Sequence, residues 1–154
     1  MKKILILAIG ILSFAALASC KEKTITFDQL PEVAKTFINT NFPGQNVLLA
    51  TVDDDLFRPD YEVLLANGVE IKFSNAGALE KISSREGIAA ELIPLSIRTY
   101  VSSHYPSAVY REFEIGRNNY EVKLSNGLEF KFNSNFNLIE VDDWFSYNLH
   151  ESAK

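Results

Sequence analysis

Apolar and polar residues alternate most clearly on the two sides of Asn67-Gly68, in Tyr61-Glu62-Val63-Leu64-Leu65 and in Val69-Glu70-Ile71-Lys72-Phe73. The same pattern returns around Asn126-Gly127, where residues 120–132 match residues 61–73 at nine of thirteen positions. Asn-Gly between two alternating runs is the signature of a β-hairpin. The alternation also selects the loop. A two-residue loop would set Leu65 beside Glu70 and Val63 beside Lys72, mixing charge with apolar side chains on each face. A three-residue loop, Ala66-Asn67-Gly68, opposes Leu65 to Val69, Val63 to Ile71, Tyr61 to Phe73 and, on the other face, Glu62 to Lys72. The second copy sorts the same way, with Val122 opposite Phe130, Glu121 opposite Lys131 and Lys123 opposite Glu129. Both hairpins are therefore expected to close through a type I turn and a G1 bulge, with Gly68 and Gly127 left-handed.

Helical spacing precedes each hairpin. Leu30, Val33, Ala34, Phe37 and Ile38 form one apolar stripe, and Ile93, Ile97, Tyr100 and Val101 form a second. Asp28 stands where a helix cap is expected, Pro31 in the first turn, and Pro43-Gly44 at the stop. Further strands are expected over residues 46–53 and 78–83, then over 109–115 and 137–142. The unit is a helix followed by a four-stranded antiparallel meander, present twice, with four residues fewer in the second copy's first loop: helices align at an offset of 63 and hairpins at 59. Antiparallel strands with both helices on one face of the sheet define an α+β fold. The expected organisation is a signal peptide at residues 1–19, a tether at 20–27, a first repeat at 28–83, a junction at 84–92, a second repeat at 93–145 and a tail at 146–154.

The N-terminal stretch reads differently. Met1-Lys2-Lys3 precedes an apolar run that ends in Leu17-Ala18-Ser19-Cys20. A positive start and a short apolar segment make a secretory signal, too short to span a bilayer. The closing tetrapeptide resembles a bacterial lipobox, which implies cleavage before Cys20 and a lipid on its thiol. Cys20 is the one cysteine of the chain, so no intrachain disulfide is available. The expected location is the cell envelope, on an outer-membrane lipid anchor. Loss of Lys2 and Lys3 moves the formal charge from −5 to about −7, and no Lys/Arg cluster offers a nucleic-acid surface.

Candidate chemistry is sparse. His104 and His150 are the two histidines, and His104 has no counterpart in the first copy. Asp53-Asp54-Asp55 with Asp60 lacks the alternate spacing, central glycine and distal glutamate of a calcium loop, and Asp142-Asp143 reads as solvated in the same way. No nucleophile elbow, zinc-helix motif or phosphate-cradling loop occurs. No catalytic residue, cofactor or metal is expected. Two surfaces remain for partner contact: the ladder face carrying Glu62, Lys72, Lys123 and Lys131, with Leu64 projecting from it, and the aromatic end at Trp144-Phe145-Ser146-Tyr147. The default for the first is a solvated sheet face, and for the second an end cap on the core.

With both copies laid out, the chain resembles the PepSY-like family of secreted bacterial proteins, whose tandem fold is compared with the β-lactamase inhibitor protein. Leu30-Pro31, Phe37-Ile38, Phe42-Pro43, Tyr61-Glu62-Val63, Asn67-Gly68 and Phe73 carry the likeness, together with their second-copy equivalents, over roughly residues 28–145. Where members carry Gly-x-Trp before the fourth strand, Gly77-Ala78-Leu79 and Phe136-Asn137-Leu138 stand here. The resemblance implies a non-enzymatic envelope lipoprotein that binds a protein or acts as an inhibitor-like module. The alternative is a binding module for a small molecule or a cell-wall fragment.

Overall fold

The computed structural model describes residues 22–53 and 59–143. Cys20 with its lipobox, Asp54 and Asp55, and Trp144 with the aromatic end lie outside the described residues. In chain order the elements are β1 (Glu22–Thr24), α1 (Glu32–Asn41), β2 (Val47–Asp53), β3 (Tyr61–Leu65), β4 (Glu70–Phe73), β5 (Leu79–Ser83), α2 (Leu95–His104), β6 (Tyr110–Ile115), β7 (Asn119–Leu124), β8 (Leu128–Asn133) and β9 (Leu138–Asp143). Single 3-10 turns at Phe27–Gln29 and Ala90–Leu92 lead into the helices.

Among the described residues, two helices and one nine-stranded antiparallel sheet make the fold α+β, the class expected from the pattern. The strands follow chain order from β1 to β9, so the four-stranded units do not stand apart. β5 pairs with β6 through Lys81–Glu114, Ile82–Phe113 and Ser83–Glu112, which joins the halves into one sheet. The junction adds to that join. Ser84 donates its N–H to the Arg111 carbonyl and Ile88 donates to Tyr110, each at 2.9 Å.

The hairpins adopt the three-residue register. Tyr61 opposes Phe73, Glu62 opposes Lys72 and Val63 opposes Ile71, with the same pairs repeated in Tyr120–Phe132, Glu121–Lys131 and Val122–Phe130. The Gly68 N–H donates to Leu65 at 2.9 Å and Gly127 to Leu124 at 3.1 Å, with φ of 78° and 87°. The Asn67 and Asn126 side chains accept from the N–H two residues on, at 3.3 and 3.2 Å. Irregularities recur too: a bulge at Val47/Leu49 returns at Tyr110/Glu112, and one at Lys72/Phe73 returns at Lys131/Phe132.

Both helices close over the apolar face. Ala34 and Ile38 of α1, with Ile97 and Val101 of α2, are buried in one core with the inward residues of the strands. The Phe37 ring meets Phe73 edge-on at 5.7 Å, and Tyr100 meets Phe132 at the same distance. Aromatic pairs of this geometry stabilise by about 0.5–1.5 kcal/mol beyond their buried area.

Four details depart from the sequence reading. Residues 22–24 are not tether but strand, with Glu22, Lys23 and Thr24 opposite Asp53, Val52 and Thr51. The sheet thus has nine strands among the described residues where eight were expected. Asp28 does not cap α1: it lies in the 3-10 turn, which Thr26 and Gln29 cap reciprocally. Leu30, preceding a proline, is held extended at ψ 151°, so the chain straightens between Asp28 and the helix, and Pro31 is the N-cap rather than a first-turn residue. Val33, expected on the apolar stripe, is 57% exposed.

The copies differ in how they fill the core. Ala50 in β2 corresponds to Phe113 in β6, and Gly77 to Phe136. Phe113, Tyr120 and Phe136 form a stack with centroids 6.1 and 5.0 Å apart. Phe136 holds φ 60° to join it, an unusual conformation for an aromatic residue. At Gly77 a Cβ would lie 2.7 Å from the Pro31 Cβ and 3.0 Å from the Ala34 nitrogen, so α1 packs directly on this turn.

These geometries predict an order of costs. Gly68→Ala meets nothing within 4 Å and is expected to destabilise by about 1–2 kcal/mol, purely through its positive φ. Gly127→Ala should match it and Asn67→Ala should cost less. Gly77→Ala adds a backbone clash and should cost the most. Urea melts of the four variants check the order.

Candidate functional site: the open face of the sheet

The odd-length hairpin loops send every second side chain of each strand away from the helices. Glu62, Lys72, Lys123 and Lys131, singled out from the sequence, all lie on this open face. Glu121 and Glu129, expected opposite Lys131 and Lys123, join them there, and the structure adds Asp60, Lys81, Glu112 and Glu114. Lys72 Nζ contacts Asp60 at 3.1 Å, although Glu62 is its cross-strand neighbour. Lys81 reaches Glu112 at 3.0 Å and Glu114 at 3.6 Å, while Lys123 reaches Glu112 at 2.9 Å and Glu129 at 3.8 Å. Lys131 pairs with Glu121 at 2.7 Å. Glu112, with its side chain 17% exposed, thus bridges two lysines across the join between the halves.

The sequence reading missed Lys81, Glu112 and Glu114. The signal for Glu112 and Glu114 was present in the alternation of Tyr110-Arg111-Glu112-Phe113-Glu114-Ile115, which falls outside the repeated hairpin.

Carboxylates set the electrostatics. The hydrogen bond from Lys72 to Asp60, then the charges of Asp60, Glu62 and Glu80, hold its ammonium above the usual lysine range against the opposing effect of burial. For Lys123, desolvation pulls downward and is outweighed by the Glu112 hydrogen bond and by Glu112, Glu129 and Glu114, so the net shift is upward. Lys131 is raised through its hydrogen bond to Glu121 and that residue's charge. Glu129 moves upward as an acid: burial is the main cause, and Glu121, Glu112 and Asp142 add to it against Lys123.

Between β2 and β6 the face dips into an open trough of about 840 Å³. Leu49, Leu64 and Ile115 line it, with Glu22, Glu62 and Glu70 among its acids. Elsewhere, the His104 Nδ1 lies 2.8 Å from the Tyr100 carbonyl and its ring stacks on Tyr100 at 4.4 Å. His104 is thus committed to its own helix. Among the described residues no group of three or more His, Cys, Asp or Glu is arranged to hold a metal ion, and no helix is long and apolar enough to cross a membrane. Trp144 and Cys20, the other sequence candidates, lie outside the described residues.

The fold has counterparts among known proteins. A family model described as "Putative beta-lactamase-inhibitor-like, PepSY-like" matches the chain twice, at residues 16–81 and 59–140. The chain belongs to this PepSY-like family. Among solved structures it is similar to a periplasmic protein of the DUF2874 family from Bacteroides vulgatus, described as "putative", at 36% identity and a TM-score of 0.76, covering 80% of this chain and 98% of the other. It is also similar to a "putative calcium-regulated periplasmic protein" from Bacteroides thetaiotaomicron, at 36% identity and a TM-score of 0.75, over 79% of this chain and 96% of the other. A third, a periplasmic protein of unknown function from Bacteroides vulgatus, again described as "putative", shares 27% identity with a TM-score of 0.75, over 80% and 100%. No curated protein matches the sequence.

The ladder has a definite pH signature. A lysine raised by folding stabilises below its unfolded pKa of 10.5 and loses that contribution as pH rises through the higher folded value. Glu129 works the other way: an acid with a raised pKa favours folding when protonated and takes stability away once ionised. Glu129→Gln is therefore expected to raise the melting temperature at pH 7 and to lose that advantage near pH 4. Glu112→Gln, which strips two lysines of their shared partner, should destabilise by about 1 kcal/mol. Thermal melts between pH 4 and pH 11 check both variants.

Proposed function

We propose that this chain is a non-enzymatic envelope lipoprotein that docks a protein partner on the open face of its sheet. The observation that carries this reading is the face itself: nine strands wide, free of helices among the described residues, and lined by ordered charge around an open trough. A protein surface of this kind steers and orients association through electrostatic complementarity. The periplasmic descriptions of the similar structures support an envelope location, and the lipobox at Leu17-Ala18-Ser19-Cys20 supports a lipid anchor. We read the fold as a tandem duplication of one helix-plus-meander unit, residues 28–83 and 93–145, fused edge to edge. The doubled family match and the offset of 59 between hairpins support it. An inhibitor-like role toward a hydrolase fits the same face, as the family description suggests. A small molecule or cell-wall fragment is the weaker reading, because the trough is open where such ligands favour enclosed, largely apolar sites.

Two experiments test this function. Cys20→Ala should leave the domain folded and release it from membranes, since the anchor is covalent lipid. A variant that stays in the pellet after carbonate washing removes the lipoprotein reading. For the face, the partner captured from envelope extract should bind at least about tenfold more weakly to Glu62→Lys/Glu70→Lys, as expected when close charges at an interface are reversed. Glu91→Lys, outside the sheet, should bind as the parent does. Equal loss in both variants, or in neither, means that the partner docks elsewhere.

A further inference from the structure

The two halves of the open face differ at one cross-strand pair. In the second half, Glu112 of β6 opposes Lys123 of β7 and the two form an ion pair at 2.9 Å. At the corresponding positions in the first half, Leu49 of β2 opposes Leu64 of β3. A charged pair is thus replaced by two leucines on a face rich in charge, and Leu49 is 45% exposed. Both line the trough.

Acid predominates around them. The trough is lined by Glu22, Glu62, Glu70, Glu80 and Glu114, against Lys72 and Lys81. Both lysines are already engaged, Lys72 by Asp60 and Lys81 by Glu112 and Glu114. The Lys72 ammonium is held upward first by its hydrogen bond to Asp60, and then by the charges of Asp60, Glu62 and Glu80. An apolar floor within a negative rim selects a partner with the opposite arrangement.

We infer that the trough receives a loop of the partner protein bearing one apolar side chain flanked by lysine or arginine. This rests on the open face being the docking face, and adds what docks there. The apolar side chain covers Leu49 and Leu64, and the flanking cations meet Glu62 and Glu70. A second copy of this chain is a poor occupant, because its formal charge of −5 and its acidic open face would bring carboxylate against carboxylate.

The test uses the full chain in detergent and three disulfide-closed hairpin peptides with tips Arg-Leu-Arg, Gln-Leu-Gln and Arg-Ser-Arg, followed by amide NMR shifts and titration calorimetry. The Arg-Leu-Arg peptide should perturb Thr51, Glu62, Leu64 and Glu70, and bind at least about tenfold more tightly than either control at low salt, with the advantage over Gln-Leu-Gln shrinking as salt rises. The exchange Leu49→Glu/Leu64→Lys transplants the second half's own ion pair onto an equivalent backbone, so it should keep the fold and lose the peptide. Equal binding of Gln-Leu-Gln at the same amides overturns the cationic requirement while leaving the docking face in place. Undiminished binding to the exchange variant overturns the apolar floor. Perturbations confined to other surfaces overturn both the inference and the docking reading, and no binding of Arg-Leu-Arg overturns the inference.

Discussion

Parity governs this structure. Side chains alternate across a strand with period two, so a hairpin loop of odd length keeps like with like, and a loop one residue shorter would put charge into the core. Gly68 and Gly127 make the odd loop possible by taking the left-handed conformation at its third position. Everything larger follows from that choice. The apolar set gathers on one face, where α1 and α2 cover it, and the charged set gathers on the other, where nothing among the described residues does. The recurrence of the bulges at Val47/Leu49 and Tyr110/Glu112 keeps the parity in step on either side of the join. Fold and candidate site are two consequences of one register.

That register was legible because it has a single solution: only the three-residue loop separates Val63 and Ile71 from Glu62 and Lys72. The second hairpin, reading the same way, left no freedom. Elements decided by tertiary neighbours were not legible. Glu22-Lys23-Thr24 carries no apolar alternation, and it is strand only because β2 offers it an open edge. Asp28 satisfied the local rule for a cap, yet the extended backbone before Pro31 moved the helix start out of its reach. At the site, the four charged residues named from the ladders do share a face, but their pairing was beyond a sequence. Lys72 prefers Asp60 to its cross-strand neighbour, and Glu112 serves two lysines, because long side chains choose partners by reach and not by register.

A duplicated backbone has been filled in two ways. Where the second half stacks Phe113, Tyr120 and Phe136, the first half keeps Ala50 and Gly77 and draws α1 against the turn. Where the second half holds Glu112 against Lys123, the first sets the exposed Leu49 beside the half-buried Leu64. The backbone pairings that define the sheet are unaffected by either exchange. Packing differences are absorbed by helix placement on one side, and by solvent on the other. The halves have thus become unequal surfaces without ceasing to be one sheet.

The three-residue strand at the N-terminal edge also has a mechanical side. A pull on the chain ahead of Glu22 enters the sheet through its outermost strand, at the Glu22–Asp53 pair. Force applied there across the strand direction loads the pairs one after another, and each backbone hydrogen bond resists with only about 0.5–1.5 kcal/mol of net stability. All three residues of β1 are exposed, so no buried side chain resists with them. Under such a load these three pairs would part first, with β2 to β9 still paired. Force on the chain ahead of Glu22 would thus be met at the sheet edge before it reached Ile25, which packs on the core.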